Sequence, residues 1–495
     1  MPSGRDVRID WCVIFPDRQR YRELARDCTI VPVCCEVLAD IETPVSVLNR
    51  FRDRRNVFLL ESMEGGETWG RYSFVGVDPE PFIETNHLGG LPGLEALRTV
   101  YRGQKVAQLP ELPRFVGGAV GYVGYEAVRE FERMPEPKRP AGAVPGSKFL
   151  KADRLLVFDN KRHTLTGVFC SRPHEAGSVD AAYDTAAAQV GELMARLRTP
   201  APPLPEGKFE TGPMASNMSR DEFMGMVEKA KRYIFQGDII QAVLSQRFSA
   251  PCSIPPIQLY RALRLLNPSP YTFFLKIGDQ TLVGSSPEVM VRLSGSRMVL
   301  RPIAGTRRRG ATEQEDRRLA DELLACEKEK AEHVMLVDLG RNDLGRIAEP
   351  GSVQVTEYMV IERYSHVMHI VSNVEGLARK GVDAYDVVRA TFPAGTLSGA
   401  PKIRAMEIIH ELEPCPRGVY GGAVGYIGYD GNMDMAITIR TMEVGGGSVS
   451  VQAGAGVVFD SDPAFEYDET CHKARALQKA VALAAGGLDL GVERA

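Results

Sequence analysis

The chain has 495 residues, of which 44% are hydrophobic and 25% are charged, values typical of a globular protein with a substantial core. Its 60 Lys+Arg and 64 Asp+Glu leave a formal charge of −4, which excludes a general electrostatic attraction to nucleic acid or anionic membranes. No stretch approaches the roughly 20 apolar residues that a membrane helix needs. The first twenty residues contain no apolar core long enough for a secretory signal, so none is expected there. Nine scattered cysteines without a CxxC pair indicate reduced thiols and a cytoplasmic location.

A ten-residue segment of the first half of the chain occurs again in the second half. GGAVGYVGYE at Gly117–Glu126 returns as GGAVGYIGYD at Gly421–Asp430, and only two of the ten positions differ. Small residues alternating with β-formers predict twisted strands whose backbones approach another group closely. We therefore expect related sheet segments in the two halves.

A proline-rich stretch at Thr199–Pro213 divides the chain. Its clustered prolines can continue neither a helix nor a central strand, so it is predicted to be an exposed linker. The expected organisation is an N-terminal region, residues 1–198, and a catalytic region, residues 214–495, joined by residues 199–213. Helices are predicted on both sides, at Ala181–Leu197 and at Ser219–Gln236, the second with a Ser219–Glu222 capping box.

The remaining elements mix helices and strands without a regular βαβ alternation. No GxGxxG follows a strand, so a dinucleotide-binding fold is disfavoured, and an α+β fold with largely antiparallel sheets is predicted. The predicted strands are Arg154–Phe158, Thr281–Val283, Met298–Arg301, Ala436–Val444 and Ser448–Ala453. The predicted helices are Glu313–Val337, Ala384–Arg389 and Lys402–Leu412.

Two predicted helices carry pairs of carboxylates at helical spacing. Glu329 and Glu332 lie three residues apart, and Glu466, Glu469 and Lys473 share another helix face. Two such pairs are suited to a hard divalent cation such as Mg²⁺. By spacing alone, two ordinary charged helix faces are the favoured explanation, because such pairs of carboxylates are abundant.

Two glycine-rich loops are candidate ligand-binding segments. FPAGTLSGAPK at Phe392–Lys402 places hydroxyl groups, including that of Thr396, before a helix with Pro401 in its first turn, an arrangement that binds anions. In Gln452–Gly456 the glycines would let backbone N–H groups reach a ligand. Plain tight turns are the alternative for both loops.

Taken together, eleven strings in this order resemble the chorismate-utilising enzymes, most closely the large synthase subunits (component I) of anthranilate synthases. The resemblance covers nearly the whole chain, from about residue 30 to 480. The strings are LLES (59–62), RYSF (71–74), QAVLSQRF (241–248), NPSPYTFF (267–274), GSSPE (284–288), RPIAGTRRRG (301–310), EHVMLVDLGRNDLGRI (332–347), YSHVMH (364–369), FPAGTLSGAPK (392–402), YGGAVGY (420–426) and QAGAGVVFDSDP (452–463).

The resemblance implies two packed antiparallel sheets flanked by helices and a cleft for chorismate with Mg²⁺. It makes Glu332 and Glu469 the direct Mg²⁺ ligands, with Glu329 and Glu466 supporting them through water. Thr396 would complete the pocket. The residues expected to hold the substrate carboxylates are Gly305, Thr306, Tyr420, Arg440, Gly454, Gly456 and Lys473.

The implied reaction is that of a lyase and has two steps. Ammonia adds at C2 as the 4-hydroxyl leaves, and pyruvate is then eliminated to give anthranilate, the first step of tryptophan biosynthesis. Glu288 matches the family's proton donor for the leaving hydroxyl. His369 matches the histidine required for the elimination.

Two positions distinguish this chain from related enzymes. Isochorismate and salicylate synthases have a lysine base where this chain has Gln241, and an amide cannot activate water in that way. Aminodeoxychorismate synthases typically carry a nucleophilic lysine in PIKGT, where this chain has PIAGT with Ala304. Both departures favour anthranilate as the product.

The resemblance also implies a partner and a regulator. The glutaminase nucleophile string GxCxGxQ has no counterpart here, so ammonia is expected from a separate glutamine amidotransferase subunit (component II), within a heterotetramer. LLES and NPSPYTFF match the family's site for feedback inhibition by L-tryptophan. Glu61, Ser62, Pro270 and Tyr271 would form this allosteric site.

Three alternatives remain open at this point. A 2-amino-2-deoxyisochorismate synthase would perform only the amination, and an aminodeoxychorismate synthase would aminate elsewhere on the ring. The alternative outside enzymology is a catalytically idle subunit that senses tryptophan or holds a glutaminase.

Overall fold

The computed structural model describes residues 13–63, 70–85, 93–136, 146–364 and 367–489. Within them lie twelve α-helices, α1 to α12 in chain order: Arg18–Ala25, Pro44–Phe51, Arg98–Tyr101, Val128–Phe131, Val179–Leu197, Arg220–Phe235, Pro256–Leu266, Glu313–Ala325, Glu327–Gly345, Ala384–Thr391, Lys402–Leu412 and Pro463–Ala485. Short 3-10 helices span Leu94–Leu97, Tyr125–Ala127 and Gly395–Leu397.

The same residues contain 23 strands, which we number β1 to β23. Their bounds are Val13–Phe15, Val31–Leu38, Asn56–Glu61, Tyr72–Val77, Glu80–Thr85, Gly118–Val123, Ser147–Ala152, Arg154–Asp159, Thr164–Ser171, Ala215–Ser216, Gln241–Pro251, Tyr271–Ile277, Gln280–Ser286, Val289–Ser294, Arg297–Leu300, Ile303–Arg308, Gln354–Arg363, Val367–Leu377, Gly399–Ala400, Ala423–Gly428, Met433–Ile437, Thr441–Gly445 and Ser448–Val457.

The strands form two large sheets, and every pairing between them is antiparallel. The 13-stranded sheet has the order β1-β2-β9-β8-β4-β3-β12-β13-β22-β23-β11-β10, with β19 also paired to β11. The ten-stranded sheet has the order β16-β18-β15-β14-β21-β20-β6-β7-β5, with β17 paired to β18.

The two sheets pack face to face, and helices cover their outer faces. Phe58 of the larger sheet and Tyr122 of the smaller one belong to the same buried cluster. Leu259 of α7 and Leu477 of α12 pack in a second cluster on the larger sheet, and Val388 of α10 belongs to a third cluster on the smaller sheet. These layers confirm the predicted α+β fold, because apolar side chains on each sheet face must be buried against another layer.

The repeated decapeptide forms two strands that pair with each other. Val123 lies opposite Ala423, and Gly121 lies opposite Gly425, so equivalent residues are related by a local pseudo-two-fold axis. A Cβ atom on Gly121 would lie 2.1 Å from the Lys148 carbonyl oxygen, which explains the need for glycine there. The expectation of related sheet segments in the two halves is confirmed.

The residues on either side of the proline-rich linker contribute strands to the same sheets. β3 from the first region pairs with β12 from the second, and β6 pairs with β20. The linker itself contains no helix and only an isolated bridge at Thr211. The N-terminal region therefore completes the sheets of the catalytic region.

Three local predictions differ from the structure. The single helix predicted over Glu313–Val337 is two helices, because Cys326 between them has an extended backbone. The strand predicted over Ala436–Val444 is two strands, since Arg440 adopts a left-handed conformation with φ of 48°. Pro401 is the N-cap residue of α11 and not part of its first turn.

The prediction that the cysteines are reduced thiols is correct for most cysteines in the described ranges. Seven of the eight cysteines in the described ranges are free thiols, and Cys35 is disulfide-bonded, so the prediction of reduced thiols is wrong for Cys35. Of the helices in these ranges, none combines the length and the apolar character needed to cross a membrane.

Candidate active site

A cavity of about 630 Å³ brings together five of the residues singled out from the sequence. They come from strands β16 and β18, the loop before β22, and helix α12: Thr306, His369, Arg440, Glu469 and Lys473. The cavity is large enough for a ring-sized substrate with two carboxylates. Its other lining residues are Asn267, Pro268, Ser269, Pro287, Tyr364, Val367, Phe465, Asp468, His472 and Ala476.

His369 is oriented by the neighbouring strand β16. Its Nδ1 lies 2.8 Å from the Gly305 carbonyl oxygen and 3.2 Å from the Thr306 hydroxyl. A carbonyl only accepts hydrogen bonds, so Nδ1 carries the proton and Nε2 is left as a basic nitrogen. Burial lowers the pKa of His369, which keeps the ring neutral. A neutral, oriented imidazole is suited to removing a proton.

Glu288 is a buried carboxyl group held by the glycine-rich loop. Thr396, in the short helix Gly395–Leu397, donates a hydrogen bond of 2.9 Å to Glu288 Oε1. Burial raises the pKa of Glu288 to about 8, although the Thr396 hydrogen bond and the charges of Arg440 and Lys473 act in the opposite direction. At neutral pH the group is therefore mostly protonated and can donate a proton.

Strand β23 supplies the close-approach glycines that the sequence suggested. A Cβ atom on Gly454 would lie 2.7 Å from the Tyr420 hydroxyl, and one on Gly456 would lie 2.6 Å from the Gln241 amide nitrogen. Lys473 donates a hydrogen bond of 3.0 Å to the Gly454 carbonyl oxygen. Because Lys473 lines the cavity, this hydrogen bond places Gly454 beside it, whereas the contact of Gly456 is with Gln241.

The four candidate metal ligands come from two helices, α9 and α12, and of the four only Glu469 lines the cavity. Burial and the charges of Glu329 and Glu469 raise the pKa of Glu332. Burial and Glu469 likewise raise that of Glu466. Carboxylates so close to one another repel, and a divalent cation would relieve this repulsion.

Cationic side chains neutralise part of this carboxylate cluster. Lys473 Nζ lies 2.6 Å from Glu469, and Arg307 lies 3.2 Å from Glu329. No group of three acidic, histidine or cysteine side chains within the described ranges converges tightly enough to form a ready metal centre. The donor set nevertheless fits Mg²⁺, which binds through a few carboxylates together with water and substrate oxygens.

The two residues that distinguish related enzymes adjoin other candidate site residues, although neither of them lines the cavity. Ala304 pairs with Ile370, next to His369, and presents no nucleophile. Gln241 is buried at the start of β11, against Gly456. Its Oε1 has no hydrogen-bond donor among the described residues, so it can accept a hydrogen bond from a small molecule.

A second cavity of about 460 Å³ contains all four residues of the expected regulatory site. Ser62, Pro270 and Tyr271 line it together with Glu61. The Glu61 carboxylate is already bound by Arg264, at 3.0 Å, and by the Tyr260 hydroxyl. The wall also contains the stacked rings of Phe115 and Tyr426, the ring of Phe74, and two charged residues, Arg292 and Asp434.

Sequence reasoning missed several lining residues of both cavities. Asp468 and His472 line the active-site cavity from α12, where Phe465, Glu469 and His472 form a stripe at helical spacing. That stripe was visible in the sequence. In the second cavity, Tyr271 donates a hydrogen bond of 2.9 Å to Asp434, a contact between distant segments that no local pattern announces.

Comparisons with known proteins agree with this geometry. Residues 56–479 match the family model described as chorismate binding enzyme. The chain is 48% identical to anthranilate synthase component 1 of Pseudomonas putida, over 92% of this chain and 96% of that protein. It is 44% identical to the Acetivibrio thermocellus protein of the same name, over 95% and 99%.

Solved structures share the fold. Anthranilate synthase component I from Streptococcus pneumoniae TIGR4 superposes with a TM-score of 0.73 at 37% identity, covering 89% of this chain and 98% of that one. The menaquinone-specific isochorismate synthase MenF of Escherichia coli gives 0.70 at 19% identity, over 94% and 98%, a likeness of fold. The chain therefore belongs to the chorismate-binding enzyme family and, within it, to the anthranilate synthase component 1 group.

Proposed function

We propose that this enzyme converts chorismate and ammonia to anthranilate and pyruvate in a Mg²⁺-dependent reaction. The observation that carries the proposal is the His369 imidazole, whose Nδ1 lies 2.8 Å from the Gly305 carbonyl oxygen so that Nε2 can accept a proton. Beside it is the buried Glu288 carboxyl group, which follows the cavity-lining residue Pro287 and whose pKa burial raises to about 8. A site with one proton donor and one proton acceptor suits a reaction that first expels a hydroxyl group and then removes a ring proton.

In the amination step, Glu288 gives its proton to the 4-hydroxyl, which leaves as water while the nitrogen of ammonia bonds to C2. The Thr396 hydrogen bond fixes the direction of the Glu288 carboxyl group. The resulting intermediate is aminodeoxyisochorismate. Backbone groups of Gly305, Gly454 and Gly456, with Arg440 and Lys473, bind the two substrate carboxylates.

In the elimination step, His369 Nε2 takes the proton from C2, and the electron pair forms the aromatic ring as the enolpyruvyl C–O bond breaks. The leaving group becomes pyruvate after it gains a proton. Glu332 and Glu469 would hold Mg²⁺, with Glu329 and Glu466 in support; the ion would neutralise a substrate carboxylate when bound.

The proposed setting is a cytoplasmic heterotetramer that serves tryptophan biosynthesis. Ammonia comes from a glutaminase subunit, component II, and the cavity beside Tyr271 binds L-tryptophan as an inhibitor. Its stacked Phe115 and Tyr426 rings, 4.1 Å apart, offer an aromatic wall for an indole ring.

The test is a fluorescence assay of the isolated chain with chorismate, Mg²⁺ and ammonium. Anthranilate is fluorescent, and its formation, lost on addition of EDTA, is the expected result. Consumption of chorismate without fluorescence would instead favour an enzyme that performs only the amination. Unchanged chorismate would contradict the proposal.

A further inference from the structure

Tyr364 lines the active-site cavity beside His369, and no step of the proposed reaction uses it. It follows β17 directly, whereas His369 belongs to β18. The centroids of the two rings are 5.6 Å apart and the ring planes are inclined by 64°, which is an edge-to-face contact. Aromatic pairs in this arrangement attract each other beyond the effect of the area that they bury. The Tyr364 ring therefore limits how far the imidazole can turn.

The sheet holds His369 between two strands. β16 pairs with one edge of β18 and β17 pairs with the other, since Ile370 has a partner in each of them. From β16, the Gly305 carbonyl oxygen accepts the hydrogen bond of His369 Nδ1. A single hydrogen bond leaves the imidazole free to tilt, because its angular preference is broad. The ring of Tyr364, from the end of β17, removes much of this freedom.

The carboxylate of Glu362 holds the other end of Tyr364. Glu362 lies directly opposite His369 in the strand pairing, so the two side chains share one face of the sheet. The Tyr364 hydroxyl donates a hydrogen bond of 2.9 Å to Glu362 Oε2, and Arg301 binds Oε1 of the same carboxylate. With its hydroxyl bound to a carboxylate, Tyr364 meets the imidazole through its aromatic ring.

The backbone of Tyr364 is anchored as well. Its amide donates a hydrogen bond of 2.8 Å to the Val367 carbonyl oxygen, and Arg309 donates one of 2.8 Å to its own carbonyl oxygen. Arg309 is in turn held by Asp316 of α8, at 2.7 Å. A ring on an anchored backbone is a fixed wall, as the support of a functional side chain requires.

His369 has a role in only one of the two proposed steps. A base must meet the proton that it removes at hydrogen-bond distance, so a tilt of the imidazole that displaces Nε2 slows the elimination. The amination depends instead on Glu288 and Thr396, which belong to other segments of the chain. A residue that acts through the imidazole should therefore affect the second step and spare the first.

We infer that Tyr364 is a positioning residue for the elimination: its ring, held through Glu362, keeps the His369 imidazole directed at the substrate. This inference rests on the proposed function for the elimination step. It adds a residue on which the conversion of the aminated intermediate to anthranilate depends.

The test compares two rates, chorismate consumption and anthranilate formation, in variants of the full chain supplied with Mg²⁺ and ammonium. Tyr364→Leu removes the ring, so anthranilate formation should fall by about tenfold or more, whereas chorismate consumption stays within about twofold and the aminated intermediate accumulates. Tyr364→Phe keeps the ring and should restore most of the anthranilate formation. Tyr358→Leu, at a 55% exposed tyrosine of β17 that does not line the cavity, is the matched control and should change neither rate.

A double substitution shows whether Tyr364 acts through His369. Two residues that serve one function are not additive, so His369→Ala combined with Tyr364→Leu should form anthranilate as fast as His369→Ala alone. A further loss in the combined variant would overturn the inference. A raised KM for chorismate with an unchanged ratio of the two rates in Tyr364→Leu would also overturn it, because Tyr364 would then bind the substrate.

The position of the imidazole is measured separately by NMR of protein labelled at its eight histidines, which does not depend on turnover. The signal of the His369 ring, identified by its loss in His369→Ala, should move in Tyr364→Leu and keep its place in Tyr364→Phe. This result supports the positioning even if the chain proves to make another product, and an unmoved signal in Tyr364→Leu would overturn it. Absence of anthranilate from the unmodified chain would instead contradict the proposed function.

Discussion

The hydroxyl group of Thr396 donates a hydrogen bond of 2.9 Å to the carboxyl group of Glu288. The two residues are 108 positions apart, and the contact joins the glycine-rich loop to the segment between β13 and β14. Burial favours the protonated form of Glu288, whereas this hydrogen bond favours the ionised form. The balance leaves a pKa of about 8, so the group is mainly a carboxylic acid at neutral pH.

The pH dependence of the reaction should report this balance. Glu288 donates a proton only when protonated, so activity is present below its pKa of about 8 and falls as the pH rises through that value. Thr396→Val removes a hydrogen bond to the ionised form and raises the pKa, so the falling limb should move to higher pH. The measurement is kcat against pH at a fixed concentration of free ammonia.

Glu288→Gln is the control for this assignment. The amide cannot titrate, so the limb should disappear, and kcat should fall by roughly 10²- to 10⁴-fold, the usual contribution of a general acid. A Thr396→Val profile identical to that of the unmodified enzyme would show that another group controls the limb.

Removal of one candidate metal ligand should abolish Mg²⁺ binding. Glu469→Gln keeps the shape of the side chain but loses the charge, and we expect the heat of Mg²⁺ binding in calorimetry and the Mg²⁺-dependent turnover to disappear together. Glu192→Gln, at an exposed glutamate paired with Arg196 on α5, is the control. Normal Mg²⁺ affinity in the Glu469 variant would remove that residue from the metal site.

A substitution in the second cavity should separate regulation from catalysis. Ser62 lines that cavity and does not line the active-site cavity. Ser62→Arg fills it with a large cation, so the tryptophan concentration for half inhibition should rise at least tenfold with kcat unchanged. Inhibition curves measured with and without the substitution decide the matter, and unaltered inhibition would place the regulatory site elsewhere.

The paired repeat strands predict a large effect on stability. Gly121→Ala would put a Cβ atom 2.1 Å from the backbone oxygen of Lys148, which cannot move away freely, and should lower the free energy of unfolding by about 3 kcal/mol. Gly225→Ala, within α6 and with no atom within 4 Å of the new Cβ, should instead raise it by roughly 0.5–1 kcal/mol. Urea unfolding measures both, and equal effects would refute the packing argument.

Helices with a clear capping or periodicity signal in the sequence were predicted correctly. The capping box of Ser219 and Glu222 sets the start of α6, and Lys402–Leu412 is a helix with the predicted bounds. The break at Cys326 and the left-handed backbone of Arg440 were not predictable in this way, because tertiary contacts override helix and strand propensity at those positions.

Five of the residues singled out from the sequence line one cavity, but most of the contacts around them were not predictable. Glu466, Glu469 and Lys473 lie on one helix as their spacing predicted. The hydrogen bond between His369 and Gly305 joins two strands, and strand register of this kind is set by the whole fold. The pair of Lys473 with Glu469 at 2.6 Å is instead a local contact, four residues apart on α12.

The most direct test of the two-step account is product analysis of His369→Ala with chorismate, Mg²⁺ and ammonium. Loss of the imidazole removes the base for the elimination while leaving Glu288 and Thr396 to support the amination. We predict that aminodeoxyisochorismate accumulates, as detected by chromatography of quenched samples, and that pyruvate and anthranilate formation falls by at least 10²-fold. Anthranilate formed at the full rate by this variant would contradict the account.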